Sequence, residues 1–109
     1  MQISKSVQES ALIVTIAGKM IDIQSLNNFK EDVIAEFNAN DKVIIEMSEV
    51  IAMNSTALGS IIQLSAKSRQ LKKTFLIAKP SDFVQNLLRI TKIDTIIPVY
   101  DDVETALTK

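Results

Sequence analysis

The side chains that could do acid–base, nucleophilic or metal-ligating chemistry are few in kind. Histidine and cysteine are both absent. That removes the commonest general base, the commonest metal ligand, every Ser-His-Asp arrangement, thiolate metal sites and disulfides. Thirteen carboxylates remain, and a close pair would suit general acid–base work, but neither spacing nor apolar surroundings sets any of them apart from solvated surface charge. Gly18 and Gly59 stand alone, so there is no glycine-rich loop to cradle a phosphate. Lys67, Arg69, Lys72 and Lys73 cluster without interleaved aromatics to stack on bases, and cations at a helix end suit its dipole. The residues therefore predict a chain that is not an enzyme, with no metal and no cofactor.

One stretch stands out, Ile51-Ala52-Met53-Asn54-Ser55-Thr56-Ala57-Leu58-Gly59. Its three small hydroxyl or amide residues fall where a strand gives way to a helix. Asn54 or Ser55 would serve as a cap, its oxygen taking a free N–H of the first turn. A cap needs one such residue, and three follow one another. Gly59 lies one turn inside the helix, at a cost of about 1 kcal/mol relative to alanine. A close helix–sheet approach would account for it and would fix the helix start in space.

The elements that position this stretch follow from periodicity. The chain has 109 residues and a formal charge of −1, enough for one domain that buries roughly 65% of its unfolded surface, and without long-range attraction for nucleic acid or anionic membrane. Leu12 to Ala17, closed by Gly18, reads as a buried strand, with an edge strand over Gln2 to Val7 before it. Leu26, Phe29, Val33, Ile34 and Phe37 draw one stripe on a helix that Ser25 could cap. Val43 to Met47 is the next strand, and Ser48-Glu49 begins a connection. Ser55 to Leu71 is the longest helix, with Ala57, Leu58, Ile61, Ile62, Leu64 and Ser65 on its apolar face and Ser60, Gln63, Lys67 and Gln70 opposite. Phe75 to Ala78 is a third buried strand. Ser81 caps a helix whose inner face is Phe83, Val84, Leu87 and Leu88. Thr95 to Tyr100 reads as a strand near an edge because of Pro98, and Asp101 with Glu104 resembles a capping box opening a last short helix. Alternating strands and helices predict an α/β fold with a mixed sheet of four to five strands and about four helices packed mainly on one face. The longest apolar runs are four residues, against the roughly 20 of a membrane helix. Met1 to Ser6 has no apolar signal core, so a cytoplasmic location is expected.

Met47-Ser48-Glu49-Val50-Ile51-Ala52-Met53-Asn54-Ser55-Thr56-Ala57-Leu58-Gly59 resembles the signature of STAS domains, the anti-sigma factor antagonist family: a strand, a short serine-containing connection, then Asp-Ser-(Ser/Thr)-Gly-Leu-Gly opening a helix. Gly18-Lys19-Met20-Ile21-Asp22 is similar to the family's Gly-x-Leu-Asp turn, with one residue more before the acid, so either Ile21 or Asp22 could occupy the acid position and Asp22 is carried forward. The whole chain, residues 1–109, matches one such domain. The resemblance implies an anti-sigma factor antagonist that binds an anti-sigma factor, itself a serine kinase, and so frees a sigma factor for transcription. Phosphorylation of the signature serine, here Ser55, breaks the complex, and a cognate phosphatase resets it. Asp22, Met53, Asn54, Thr56, Ser60 and Gln63 are the implied partner-binding residues. Asn54 and Ala57 depart from the pattern's Asp and Gly. Within the same family, a non-switching scaffold in a stress-signalling complex or a cytoplasmic subunit of a lipid transporter is the alternative. Met20 and Met53 could be partner surface or core.

Overall fold

The computed structural model describes residues 1–109. Five strands form one sheet in the order β1-β2-β3-β4-β5. Strand β1 (Gln2–Gln8) runs antiparallel to β2 (Ala11–Met20), and β3 (Lys42–Met53), β4 (Thr74–Ala78) and β5 (Val99–Tyr100) follow parallel to β2. The β1–β2 hairpin closes through Glu9 and Ser10, both at positive φ (50° and 68°), the backbone of a primed two-residue turn. Parallel pairs need crossovers, and these are the helices α1 (Ile23–Glu36), α2 (Ser55–Gln70) and α3 (Asp82–Ile90).

The three helices cover one sheet face. Leu26, Phe29 and Val33 of α1, Ala57, Ile61 and Leu64 of α2, and Val84 and Leu88 of α3 meet Leu12, Val14, Ile16, Val43, Ile45, Met47, Phe75 and Ile77 of the strands in one core. Burial of each large side chain contributes about 1.5–3 kcal/mol. A smaller core on the other face, Ala11, Ile13, Ile44, Leu76 and Ala78, is covered by Ala106 of the short helix α4 (Val103–Leu107). The mixed α/β sheet with helices mainly on one face is as expected from the periodicity.

Several local expectations change. The cap of α1 is Asp22, whose Oδ2 accepts the Ser25 N–H at 2.8 Å, and Ser25 is not the cap. Gly18 does not end β2; it sits at a register shift with φ +96° and the strand runs on to Met20. Phe83 is exposed rather than inward. Only Val99–Tyr100 pairs with β4, since Ile93–Thr95 form a 3-10 turn that sends Ile93 and Ile97 into the main core. Asp102, not Asp101, caps α4, accepting the Thr105 N–H at 2.7 Å.

The largest departure is β3. Ser48-Glu49 is not a connection: the strand runs unbroken for twelve residues, Lys42–Met53. Between the pairs Thr15↔Glu46 and Ala17↔Glu49, two steps on β2 face three on β3, and from Gly18↔Val50 to Lys19↔Ala52 one step faces two. These two bulges insert extra residues and bend the strand. Beyond Glu46, where the β4 pairing ends, α3 takes over: the Ser81 N–H donates to the Met47 carbonyl at 3.0 Å and the Ser81 Oγ to the Val50 carbonyl at 2.7 Å.

Candidate functional site

The bulged end of β3 delivers Asn54 to the start of α2. Asn54 is the N-cap, with extended backbone at φ −102° and ψ −177°. Its Oδ1 accepts the Ala57 N–H at 3.0 Å, and its carbonyl accepts the Leu58 N–H at 3.1 Å. Its Nδ2 donates to the Ile21 carbonyl at 3.0 Å. Ser55 is then the first residue of the helix and is exposed, as is Thr56. The helix has no acidic residue in its first turn. An anion on Ser55 would therefore meet the positive end of the α2 dipole and the first-turn N–H groups, with no neighbouring carboxylate on the same helix.

Asp22 stands at the start of α1, close to this point through the Ile21 contact. It is exposed, and the Ser25 main-chain N–H holds its carboxyl below the usual carboxylate range. Met53 is half-buried and packs on the main core, whereas Met20 is fully buried. Gln63 is exposed one face along α2 and accepts from Lys30 Nζ at 2.8 Å, tying α2 to α1.

Two expectations at the site are corrected. Ser60 does not lie on the open face: it is 5% exposed, and its hydroxyl donates to the Thr56 carbonyl at 3.0 Å. A residue so placed offers no surface to a partner. Its polarity suggested the solvent side, but a serine can bury itself by bonding back to the preceding turn. Gly59 does not mark a close helix–sheet approach, since a Cβ there would meet nothing within 4 Å.

The geometry also adds residues that the chemistry-led reading passed over. Ile21, in the turn that Asn54 touches, is 47% exposed, and Ile23, the first residue of α1, is 62% exposed. Ile51, in the second bulge of β3, is likewise exposed. Isoleucine beside an acidic turn residue carries no chemical signal, and only its placement in a turn hints at exposure. The largest depression, about 380 Å³ between β1 and α1, is lined by Met1, Ile3, Ser25, Asn28, Phe29 and Asp32 and includes no residue of α2. No three acidic side chains converge in a way that could hold a metal ion.

A model of the STAS domain matches residues 2–106. The chain belongs to the STAS domain family. A candidate anti-sigma factor antagonist of Thermotoga neapolitana is 26% identical over 98 residues, 88% of this chain and 87% of that protein. The crystal structure of a candidate anti-sigma factor antagonist from Thermotoga maritima superposes with a TM-score of 0.85 at 22% identity, covering 97% of this chain and 92% of that one. The anti-sigma factor antagonist SpoIIAA in its unphosphorylated form superposes at 0.79 with 14% identity, covering 97% and 93%. The Bacillus cell fate determinant SpoIIAA in its phosphorylated form gives 0.76 at 11%, covering 98% and 97%. At these identities the solved structures establish the STAS fold. No helix of this chain is long and apolar enough to cross a membrane.

Proposed function

We propose that this protein is an anti-sigma factor antagonist that acts by binding rather than catalysis, and that phosphorylation of Ser55 releases it from its partner. The single observation that carries the reading is the placement of Ser55: exposed, at the first position of α2, beside a capping residue that leaves its hydroxyl free of the capping role. The names of the relatives support an anti-sigma factor as the partner. The partner would be both anti-sigma factor and serine kinase, with a cognate phosphatase restoring the hydroxyl. Asp22, Met53, Asn54, Thr56 and Gln63 would frame the binding surface, joined by Ile21 and Ile23. The domain would span residues 1–109 and work in the cytoplasm.

A phosphate at this position carries about −1.5 to −2 charges at neutral pH. Buried in a tight interface, it would cost several kcal/mol, and each 1.4 kcal/mol is about tenfold in affinity. The test is incubation with ATP and the anti-sigma kinases of the same genome, followed by intact mass and binding measurements. One phosphate on Ser55, and loss of binding in Ser55→Asp, are the expected results. A stable complex indifferent to Ser55→Asp would mark a scaffold and end this reading.

A further inference from the structure

Asn54 makes more bonds than capping requires. The cap is complete once Oδ1 accepts the Ala57 N–H. Two further bonds leave the helix: Nδ2 donates to the Ile21 carbonyl at 3.0 Å, and the main-chain N–H donates to the Met20 carbonyl at 3.3 Å. Met20 ends β2, and Ile21 opens the turn into α1. The side chain thus faces two elements at once, accepting from one and donating to the other. An ionised carboxylate accepts only, and would set its oxygens against the Ile21 carbonyl. A serine would have to serve both contacts from one oxygen. Of the short side chains that cap helices, the amide alone carries an acceptor and a donor on separate atoms.

We propose that Asn54 is a positioning residue: its amide clasps the β2–α1 turn to the start of α2, so that Ile21, Ile23 and the Ser55 hydroxyl meet a partner as one rigid surface. The uncharged residue before Ser55 follows from the clasp, because the bond to Ile21 needs a donor. Any kinase acting on Ser55 must accept an amide at the preceding position. The Lys30–Gln63 bond ties the same two helices further along, so the clasp controls the turn and not the packing of α1 on α2. The clasp itself stands on hydrogen bonds alone; its consequence for binding rests on the reading of Ser55 given above.

The experiment compares Asn54→Asp and Asn54→Ser with the natural protein by NMR amide hydrogen exchange. Both variants keep a capping oxygen; Asp has no donor, and Ser has only a hydroxyl on a shorter side chain in place of the separate Nδ2 donor that reaches Ile21. Exchange at residue 54 and at Ser25 should quicken roughly five- to tenfold in both, the effect of one ordinary hydrogen bond, while the Ala57 amide stays protected. Unchanged exchange in both variants overturns the clasp. A change in the Asp variant alone also overturns it, because charge rather than the missing donor would then be the cause. The same variants, with Ser55 unmodified, are titrated against the anti-sigma factor encoded in the same genome, and both should bind roughly tenfold more weakly. Undiminished binding overturns the presentation of one rigid surface. If exchange quickens as expected but Ser55→Asp leaves binding unchanged, the phosphoacceptor reading fails and the clasp stands.

Discussion

Phosphorylating Ser55 should leave the isolated protein as stable as before or slightly more so, and this outcome separates interface disruption from unfolding. Ser55 is exposed at the first position of α2, so the new group stays in water and no core contact is lost. The first turn of α2 contains no acidic side chain. A charge at a helix N-terminus gains about 0.3–1 kcal/mol, and a phosphate brings about −1.5 to −2 charges. Repulsion from the exposed Asp22 carboxylate, across solvent, takes back part of that gain. The net is about +1 kcal/mol at most, a rise in Tm of roughly 4 °C for a domain of this size. The assay is thermal melting by circular dichroism of protein carrying phosphoserine installed at position 55, at low and at 0.5 M salt. The rise should shrink in high salt, because the dipole interaction is screened. A fall in Tm of about 5 °C or more would refute the reasoning, since the phosphate would then act by damaging its own host.

The two glycines should respond to alanine with opposite signs. Gly59→Ala fills open space inside a helix and should stabilise by about 1 kcal/mol, whereas Gly18→Ala places a side chain at φ +96° and should cost about 1 kcal/mol or more from backbone strain alone; urea midpoints measure both. Stability should also fall at both ends of the pH scale for separate reasons. The Ser25 and Thr105 main-chain N–H groups lower the pKa of Asp22 and Asp102, and Lys73 lowers that of Asp41; their contribution is present above the ordinary carboxylate value of 3.8 and is lost as pH drops through the lower folded values. Hydrogen bonds to Asp32 and Glu36 raise the pKa of Lys5 above its ordinary 10.5, so its contribution is full below that value and disappears as pH climbs through the raised one. Lys5→Met should weaken the alkaline limb, and Asp22→Asn, which keeps a capping oxygen, should flatten the acid limb; unaltered urea midpoints along both limbs would contradict the assignments.

The sequence carried the centre of the fold but not the device that aims the site. Leu12–Ala17, Val43–Met47 and Phe75–Ala78 were legible as strands because an inner strand covered on both faces is mostly apolar, with Thr15 and Glu46 the exceptions. The start of α2 was legible because capping chemistry has a residue signature. The hairpin at Glu9-Ser10 was not, since neither residue is the glycine or asparagine that such a turn favours. Nor was the second half of β3. Each bulge adds a residue, so the alternation of inward and outward side chains slips at Ser48 and again near Ile51, and two polar residues in a row read as a loop.

That hidden half-strand explains why Ser55 stands where it does. Once β4 ends opposite Glu46, β3 would run on with one edge unpaired and free to drift. Instead, β2 holds it on one side as far as Met20↔Met53. On the other side Ser81 spends both its N–H and its hydroxyl on the Met47 and Val50 carbonyls, the first inside the first bulge and the second just past it. The same Ser81 caps α3, its Oγ accepting the Val84 N–H. The start of α3, the end of β2 and the start of α2 are thereby joined through one bent strand, and the Asn54 amide adds the start of α1. The chain leading into the first position of α2 is consequently tied to three neighbouring elements, while the Ser55 side chain itself is exposed. Firm placement of an exposed hydroxyl is what a modifying enzyme and a binding partner would both require, and the bonds that would supply it around the bulged strand come from the Ser81 main-chain N–H and hydroxyl and the Asn54 amide.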